Sequence, residues 1–216
     1  MESVGWNSAH YQEPFHARRA AKLPSKLSKL GVLDLPRDAR ILDTCCGKGE
    51  ALRVLRRAGF TRLTGADGQR HTEWTRIPSA QFATCDVRSL PFPDGHFDAI
   101  TNLHALHHLG DGRGVADFVE ECLRVLRPGG RLFVLDFPGS PQIRLLFWAM
   151  RHRLGLITPG LRNFAEIVDE EWGYLKPYLA DWVSVRDALD HAPAQESRWN
   201  HEVFLYYLTL MKARHV

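Results

Sequence analysis

Short apolar runs alternate with amphipathic stretches through the middle of the chain. Helical spacing of apolar residues predicts helices at 49–58 and 114–127 and a shorter helical turn at 71–77. Strands are predicted at the five apolar runs 40–44, 62–66, 80–84, 97–102 and 131–136. Five strand–helix repeats joined by short loops predict parallel strands with right-handed crossovers. We therefore expect an α/β fold with its core at residues 38–137.

The two ends of the chain carry different patterns. Residues 11–30 are basic and apolar, and Pro24 divides them into two predicted short helices. These helices either pack on the sheet or form a lid that carries Tyr11 over its edge. Residues 138–192 predict further helices, and the apolar run 203–213 pairs with 194–200 in a predicted antiparallel hairpin. The chain is expected to form one domain, with a helical lid at 1–37 and the hairpin at 193–216.

Composition narrows the class of protein. The chain has 216 residues, 44% of them hydrophobic, so it can bury the core of one domain. The net charge is +3 and the arginines are scattered, so the composition does not call for a nucleic-acid partner. Four cysteines without CxxC spacing indicate reduced thiols, and neither a signal pattern nor a bilayer-length apolar run is present. These features predict a cytoplasmic protein without an integral membrane segment.

The first predicted strand leads into a loop of small residues. Asp43 ends the apolar run, and Cys45, Gly47 and Gly49 follow at alternate positions before the first core helix. Glycine has no Cβ, so it permits left-handed backbone and close approach of a ligand. In an open α/β sheet, this end of the first strand is where a nucleotide-like cofactor lies. The loop is therefore the predicted cofactor site.

Acids follow the next two predicted strands. Asp67 lies 24 residues after Asp43 and could accept hydrogen bonds from ribose hydroxyls. Asp86 could accept the exocyclic amine of an adenine, with the backbone N–H of Val87 donating to a ring nitrogen. Each acid alone could equally cap a turn or helix. Two acids at successive strand ends favour a nucleoside site.

In combination these motifs resemble a known family. They are ILDTCCGKG at 41–49, GAD at 65–67, CDVRSLPFPDGHFD at 85–98, NLHALHHL at 102–109 and LRPGGRLFV at 126–134. Together they resemble class I S-adenosylmethionine-dependent methyltransferases, and they are similar to the small-molecule branch that includes the ubiquinone/menaquinone C-methyltransferases. Cys45 departs from the family pattern, which usually has glycine there. A nicotinamide fingerprint would need a further glycine where this chain has Leu52.

The resemblance carries expectations about fold and cofactor. It implies a Rossmann-like, doubly wound, seven-stranded and mostly parallel sheet with a C-terminal antiparallel hairpin. It also implies S-adenosylmethionine as cofactor. Asp43 would orient the loop or the methionine amine, while Asn102 and the backbone of Leu103 would hold the methionyl end.

Histidines follow the fourth predicted strand. His104, His107 and His108 would share one face of a helical turn. His104 or His107 is the candidate general base, since a near-neutral pKa suits proton transfer, although either could simply pack the turn. A metal site with Asp111 lacks a zinc-finger or HExxH context, so no metal is predicted.

The predicted function is transfer of a methyl group from S-adenosylmethionine to a hydrophobic or aromatic small molecule. Two alternatives remain open. One is a cofactor-binding regulatory subunit without turnover. The other is a nucleic-acid methyltransferase, although this chain lacks the Asn/Asp-Pro-Pro-Tyr type signature of such enzymes after the fourth strand. The expected partner is a small-molecule acceptor, and the helices at 138–192 are the predicted acceptor region. Nucleic acid is not expected, and a homodimer is left open.

Overall fold

The computed structural model describes residues 13–154, 159–202 and 204–214. Helices flank a central sheet. The strands are β1 Arg40–Thr44, β2 Arg62–Asp67, β3 Ala80–Thr84, β4 Phe97–Leu103, β5 Leu126–Asp136, β6 Ala194–His201 and β7 Tyr206–Lys212. The helices are α1 Glu13–Leu30, α2 Glu50–Arg57, α3 Gly112–Val125, α4 Pro141–Arg151, α5 Pro159–Glu170, α6 Trp172–Ala180 and α7 Trp182–Asp190. Short 3₁₀ turns lie at Val32–Asp34, Thr72–Arg76 and Leu106–Leu109.

The sheet has seven strands in the order β3-β2-β1-β4-β5-β7-β6. The first five strands in sequence are parallel to one another. β7 runs antiparallel to β5, and β6 runs antiparallel to β7. The predicted fold class, a mostly parallel Rossmann-like sheet with a C-terminal antiparallel hairpin, is confirmed. The strand order reverses beside β1, so β1 and β4 diverge at the switch point where ligands bind in such sheets.

Hydrophobic residues cover both faces of the sheet. Leu42 and Ile100 belong to one buried cluster, which includes α3, α4 and α6. Their chain neighbours Ile41 and Ala99 belong to the other cluster, together with α1 and α2. Successive side chains of a strand point to opposite faces, so the central strands are buried on both sides, as is typical of parallel sheets. No helix among the described residues has both the length and the apolar character needed to cross a membrane.

The predicted break at Pro24 is wrong. A single helix, α1, runs from Glu13 to Leu30 with Pro24 inside it. Leu23, Leu27 and Leu30 on this helix are all buried. Packing along one face therefore maintains the helix despite the hydrogen bond that proline removes, since tertiary context overrides local propensity. Tyr11, the predicted lid residue, lies outside the described residues.

Two other expectations need correction. The predicted helix 114–127 and strand 131–136 leave Pro128-Gly129-Gly130 between them, whereas α3 ends at Val125 and the strand already begins at Leu126. The three residues instead form an irregularity in the β4–β5 register, with Gly129 in left-handed backbone. The expected five full strand–helix repeats also fail between β3 and β4, where the connecting chain contains no helix.

Candidate functional site

The loop between β1 and α2 has three residues with positive φ. They are Cys45 at 52°, Gly47 at 49° and Gly49 at 77°. Gly49 caps α2, and a Cβ there would lie 2.6 Å from the Ile77 side chain. At Gly47 a Cβ would meet nothing within 4 Å, so its surface is open. Cys45 holds a conformation that costs an L-residue roughly 1–2 kcal/mol, where the related motifs use glycine.

Asp67 holds this loop from the end of β2. Its carboxylate accepts the Gly47 backbone N–H at 2.8 Å and the Gln69 N–H at 3.0 Å. The indole N–H of Trp74 donates to the Gly47 carbonyl at 2.8 Å. A carboxylate has about four lone-pair sites, so Asp67 retains capacity to accept from a ligand. The structure thus brings Asp67 and the loop together, while its ribose contact stays a prediction.

Asp86 follows β3 and is tied to its own turn. Its carboxylate accepts the backbone N–H of Arg88 at 2.9 Å and the guanidinium of the same residue at 2.7 Å. The Arg88 side-chain hydrogen bond lowers the pKa of Asp86, outweighing the effect of burial. This is the turn-capping role that the sequence left open. Val87 is buried next to it, and the adenine contacts of both residues stay predictions.

Asp43 points into the protein between β1 and β4. Its carboxylate accepts the Thr101 hydroxyl at 2.7 Å. Burial raises the pKa of Asp43 to about 7, against the hydrogen bond from Thr101, and the nearby charge of Asp67 adds to the increase. Asp43 is therefore connected to the loop through the backbone of β1. Its predicted contact with a methionine amine stays a prediction.

Asn102 lies one position beyond Thr101 on β4 and is fully buried. Its Nδ2 donates to the Thr44 hydroxyl at 3.2 Å. Its Oδ1 is one of two buried side-chain polar atoms without a hydrogen-bond partner in the described part of the chain. Burial raises the pKa of the Cys45 thiol, and a hydrogen bond with the Asn102 side chain only partly offsets this. An acceptor without a hydrogen-bond partner among the described residues, Oδ1 of Asn102, therefore lies at the carboxyl ends of β1 and β4.

His104 follows Leu103, the last residue of β4, and adopts left-handed backbone with φ of 57°. Its backbone N–H donates to the Leu135 carbonyl at 2.6 Å. Its Nε2 lies 2.6 Å from the Nζ of Lys26 on α1. Non-glycine residues in this region store strain and concentrate at functional sites. His104 therefore stays a candidate base, with Lys26 in direct contact.

His107 is fully buried between two acids. Its Nδ1 lies 3.0 Å from both carboxylate oxygens of Asp136, and its Nε2 lies 3.3 Å from Oε2 of Glu171. Burial alone would lower the pKa of His107, but the two carboxylates outweigh it and raise this pKa to about 10. Both ring nitrogens are engaged and the ring holds its proton at neutral pH. This arrangement disfavours the predicted role of His107 as a general base.

Aromatic side chains surround this histidine turn. The ring of His108 lies 4.6 Å from that of His107 and 4.7 Å from that of Tyr174. Burial, with the charge of His107, lowers the pKa of His108 to about 4. Tyr178 is fully buried, and its hydroxyl lies 3.1 Å from that of Tyr206. The aromatic helices after β5 therefore supply core contacts as well as a partly exposed ring, Tyr174, beside the histidines.

Sequence reasoning missed four residues at this edge of the sheet: Lys26, Trp74, Asp136 and Glu171. Asp136 ends β5 as Asp67 ends β2, and Asp43 lies one residue before the end of β1, so the position of Asp136 could have been found by the same rule. Glu171 lies 64 residues from His107, and no local pattern connects the two. Lys26 likewise meets His104 only through folding.

Comparison with known proteins gives a consistent set of similarities. Residues 42–134 match the family model described as "Methyltransferase domain". The chain is 32% identical over 151 residues to the "2-phytyl-1,4-naphtoquinone methyltransferase" of Nostoc punctiforme, covering 64% of this chain and 63% of that protein. It is 38% identical over 112 residues to the "Demethylmenaquinone methyltransferase" of Thermus thermophilus, covering 48% and 49%. The chain thus matches less than two thirds of the length of either relative.

Solved structures share the fold at low sequence identity. A SAM-dependent methyltransferase from Methanosarcina mazei superposes with a TM-score of 0.60 and 17% identity, covering 84% of this chain and 95% of that one. One from Aquifex aeolicus gives 0.52 and 19%, covering 90% and 97%. Both superpositions extend over most of this chain and show a shared fold.

Proposed function

We propose that this chain, whose residues 42–134 form a methyltransferase domain on the class I S-adenosylmethionine-dependent fold, transfers a methyl group from S-adenosylmethionine to a hydrophobic small molecule. One observation carries the proposal. The domain match spans the segment from β1 to β5, which contains the glycine loop, Asp67 and Asn102. The same segment supplies the carboxyl-end edge of the sheet, where ligands of such folds bind.

The residues at this edge fit the cofactor. Gly47 leaves open space beside its backbone, as close approach of a ligand requires. The partnerless Oδ1 of Asn102 is an acceptor suited to an ammonium group, and Asp67 is an acceptor suited to hydroxyls. The sulfonium of S-adenosylmethionine supplies an already activated methyl group. The protein then has to align the acceptor and exclude water, and alignment can contribute about 7–11 kcal/mol.

We propose a quinone or hydroquinone as the acceptor class. Support comes from the relatives, which are named as naphthoquinone and demethylmenaquinone methyltransferases. Partly exposed Tyr174 beside His108 offers a flat ring at the same edge, and such rings stack on aromatic ligands. His104 would take the proton from the acceptor at Nε2, which Lys26 Nζ contacts at 2.6 Å and would release for the transfer.

We also place this activity in the cytoplasm. All four cysteines, Cys45, Cys46, Cys85 and Cys122, are free thiols. Free thiols without disulfides are typical of a reducing compartment.

Turnover with a labelled methyl donor tests the function. The protein is incubated with S-adenosylmethionine carrying a labelled methyl group and with reduced demethylated naphthoquinones, and the extracted quinone is analysed for added mass. We expect one methyl group per acceptor. Cofactor binding without any methylated quinone would instead favour the regulatory-subunit alternative, and labelled RNA or DNA would favour the nucleic-acid alternative.

Cofactor binding tests the site separately. We expect Asp67→Ala to weaken S-adenosylhomocysteine binding by about 1.5–3 kcal/mol in calorimetric titration, the range for hydrogen bonds to a charged group. Asp187→Ala on α7 is the matched control, because this acid is exposed and pairs with the exposed His191. Equal affinities of the Asp67→Ala variant and the wild type would show that Asp67 does not hold the ribose.

A further inference from the structure

Two histidines and a glutamate converge beneath the predicted acceptor region. One ligand-capable atom from each of His107, His108 and Glu171 lies within 4.8 Å of the other two. His107 and His108 belong to the turn after β4, and Glu171 precedes α6. We propose that these three side chains form a site for a divalent transition metal of the zinc type. Two histidines and one glutamate are an established ligand set for zinc centres that retain an open coordination position.

The distance between His107 and Glu171 fits this proposal better than a simple ion pair. Nε2 of His107 lies 3.3 Å from Oε2 of Glu171. Hydrogen bonds between charged nitrogen and carboxylate are shorter, at about 2.7–2.9 Å. Two ligands of tetrahedral zinc, each bonded at about 2.0–2.1 Å, are separated by about 3.3–3.4 Å. The observed separation is therefore compatible with two ligands of one zinc ion.

Asp136 supports His107 from the opposite side of the ring. Its carboxylate lies 3.0 Å from Nδ1 of His107 and accepts the backbone N–H of the same residue at 3.1 Å. It also accepts the Phe137 N–H at 2.8 Å, so it is itself fixed. A metal-binding histidine nearly always donates its other N–H to such a partner. When His107 binds a metal, this contact keeps the remaining proton on Nδ1 and leaves the lone pair of Nε2 on the side of Glu171.

The charges of the cluster also suit a dication. Asp136 and Glu171 carry two negative charges, and a metal ion would replace the proton that His107 holds between them, which leaves both histidines neutral as ligands. All of this lies inside the protein, with Asp136 and His107 fully buried and Glu171 nearly so. Buried charge must be compensated, and an ion of charge +2 would compensate both carboxylates.

Asp111 is not part of this site, although the sequence pairs it with the histidines. Its carboxylate caps α3 by accepting the Gly114 N–H at 2.9 Å. The acidic ligand is instead Glu171, which lies 64 residues from His107 in the sequence. Three protein ligands leave a fourth coordination position, which a hydroxyl oxygen of an acceptor could fill. That last role depends on the proposed function, whereas the metal site does not.

Cobalt binding tests the site without any turnover. Chelator-treated protein is titrated with Co²⁺, whose visible absorption reports four-coordinate geometry, and Zn²⁺ is then added as a competitor. We expect one equivalent to bind and Zn²⁺ to displace it. We expect His108→Ala and Glu171→Gln each to weaken binding by at least about 100-fold. Asp136→Asn should weaken it by about 10- to 100-fold, the range for outer partners of metal ligands.

His191→Gln is the matched control, because His191 is an exposed histidine that also contacts a carboxylate, Asp187, at 2.9 Å. This variant should bind Co²⁺ like the wild type. Circular dichroism of each variant checks that it is folded. The proposal is overturned if the folded wild type binds no Co²⁺ more tightly than the His108→Ala and Glu171→Gln variants. It is equally overturned if the bound ion lacks the four-coordinate absorption.

Discussion

Asp43 is a buried acid whose ionisation opposes folding. In the unfolded chain its pKa is about 3.8, and burial raises the pKa to about 7 in the folded protein. Between these values the folded state binds the proton more tightly than the unfolded state. The contribution of Asp43 to stability is therefore complete at low pH and is lost as the pH rises through about 7.

The Asp43→Asn variant tests the direction of this pH dependence of stability. Asparagine is neutral at every pH, so the stability of the variant relative to the wild type should rise between pH 4 and pH 8. The increase should be on the order of 4 kcal/mol, from the size of the pKa shift. Urea unfolding at several pH values measures it, and the exposed Asp187→Asn serves as control. A stability difference that is independent of pH would contradict a raised pKa.

His104 is the stronger of the two candidates for proton transfer, because both ring nitrogens of His107 contact carboxylates. We expect His104→Gln to lower kcat by about 100-fold while cofactor affinity stays within a factor of two, as removal of a general base predicts. His191→Gln should leave both quantities unchanged. A loss confined to cofactor affinity would assign His104 to binding rather than to proton transfer.

At the scale of elements, a close helix contact depends on one glycine. A Cβ at Gly112, the first residue of α3, would lie 2.5 Å from Cβ of Ser184 and 2.6 Å from its backbone carbon on α7. Asp181 also accepts the Gly112 N–H at 2.9 Å, so the two helices are joined at this point. The backbone of α7 cannot yield as a flexible side chain would.

We therefore expect Gly112→Ala to lower the free energy of unfolding by about 1–3 kcal/mol, the cost of overpacking. Gly173 on α6 gives a matched control, since a Cβ there meets nothing within 4 Å. Gly173→Ala should raise stability by about 0.5–1 kcal/mol, because alanine loses less entropy in a helix. Urea denaturation of both variants measures the contrast. A Gly112→Ala variant as stable as the wild type would show that α7 can shift.

The elements that were predictable are those whose pattern is local. β1 and β3 have the predicted bounds, and the family resemblance is confirmed by the domain match over 42–134. The break expected at Pro24 failed because burial of Leu27 and Leu30 on the sheet decides that helix, and no sequence window contains this information. The start of β5 was missed for a related reason, since Leu126 already pairs with Phe97, before the register is interrupted at Pro128 and Gly129 and resumes at Arg131.

At the scale of the whole molecule, the candidate site combines predictable and unpredictable parts. The rule that strand ends meet at one edge brings Asp43, Asp67 and Asn102 to the same region from sequence alone. It does not provide the partners that decide their chemistry. The Asp67 carboxylate accepts a hydrogen bond from the Gly47 N–H. Glu171 contacts His107 because the helices after β5 bring it there. Such long-range pairings arise from packing rather than from any periodic pattern.

The placement of β6 has a consequence for solubility. β7 carries the mostly buried residues Tyr206, Tyr207, Leu208 and Leu210, and it lies between β5 and β6. β6 is polar and largely exposed, and it carries the ion pair of Glu196 and Arg198. An uncovered apolar strand would offer its free backbone groups to another molecule, whereas a charged outer strand discourages such pairing. The hairpin therefore shields the sheet from intermolecular β-aggregation at this margin.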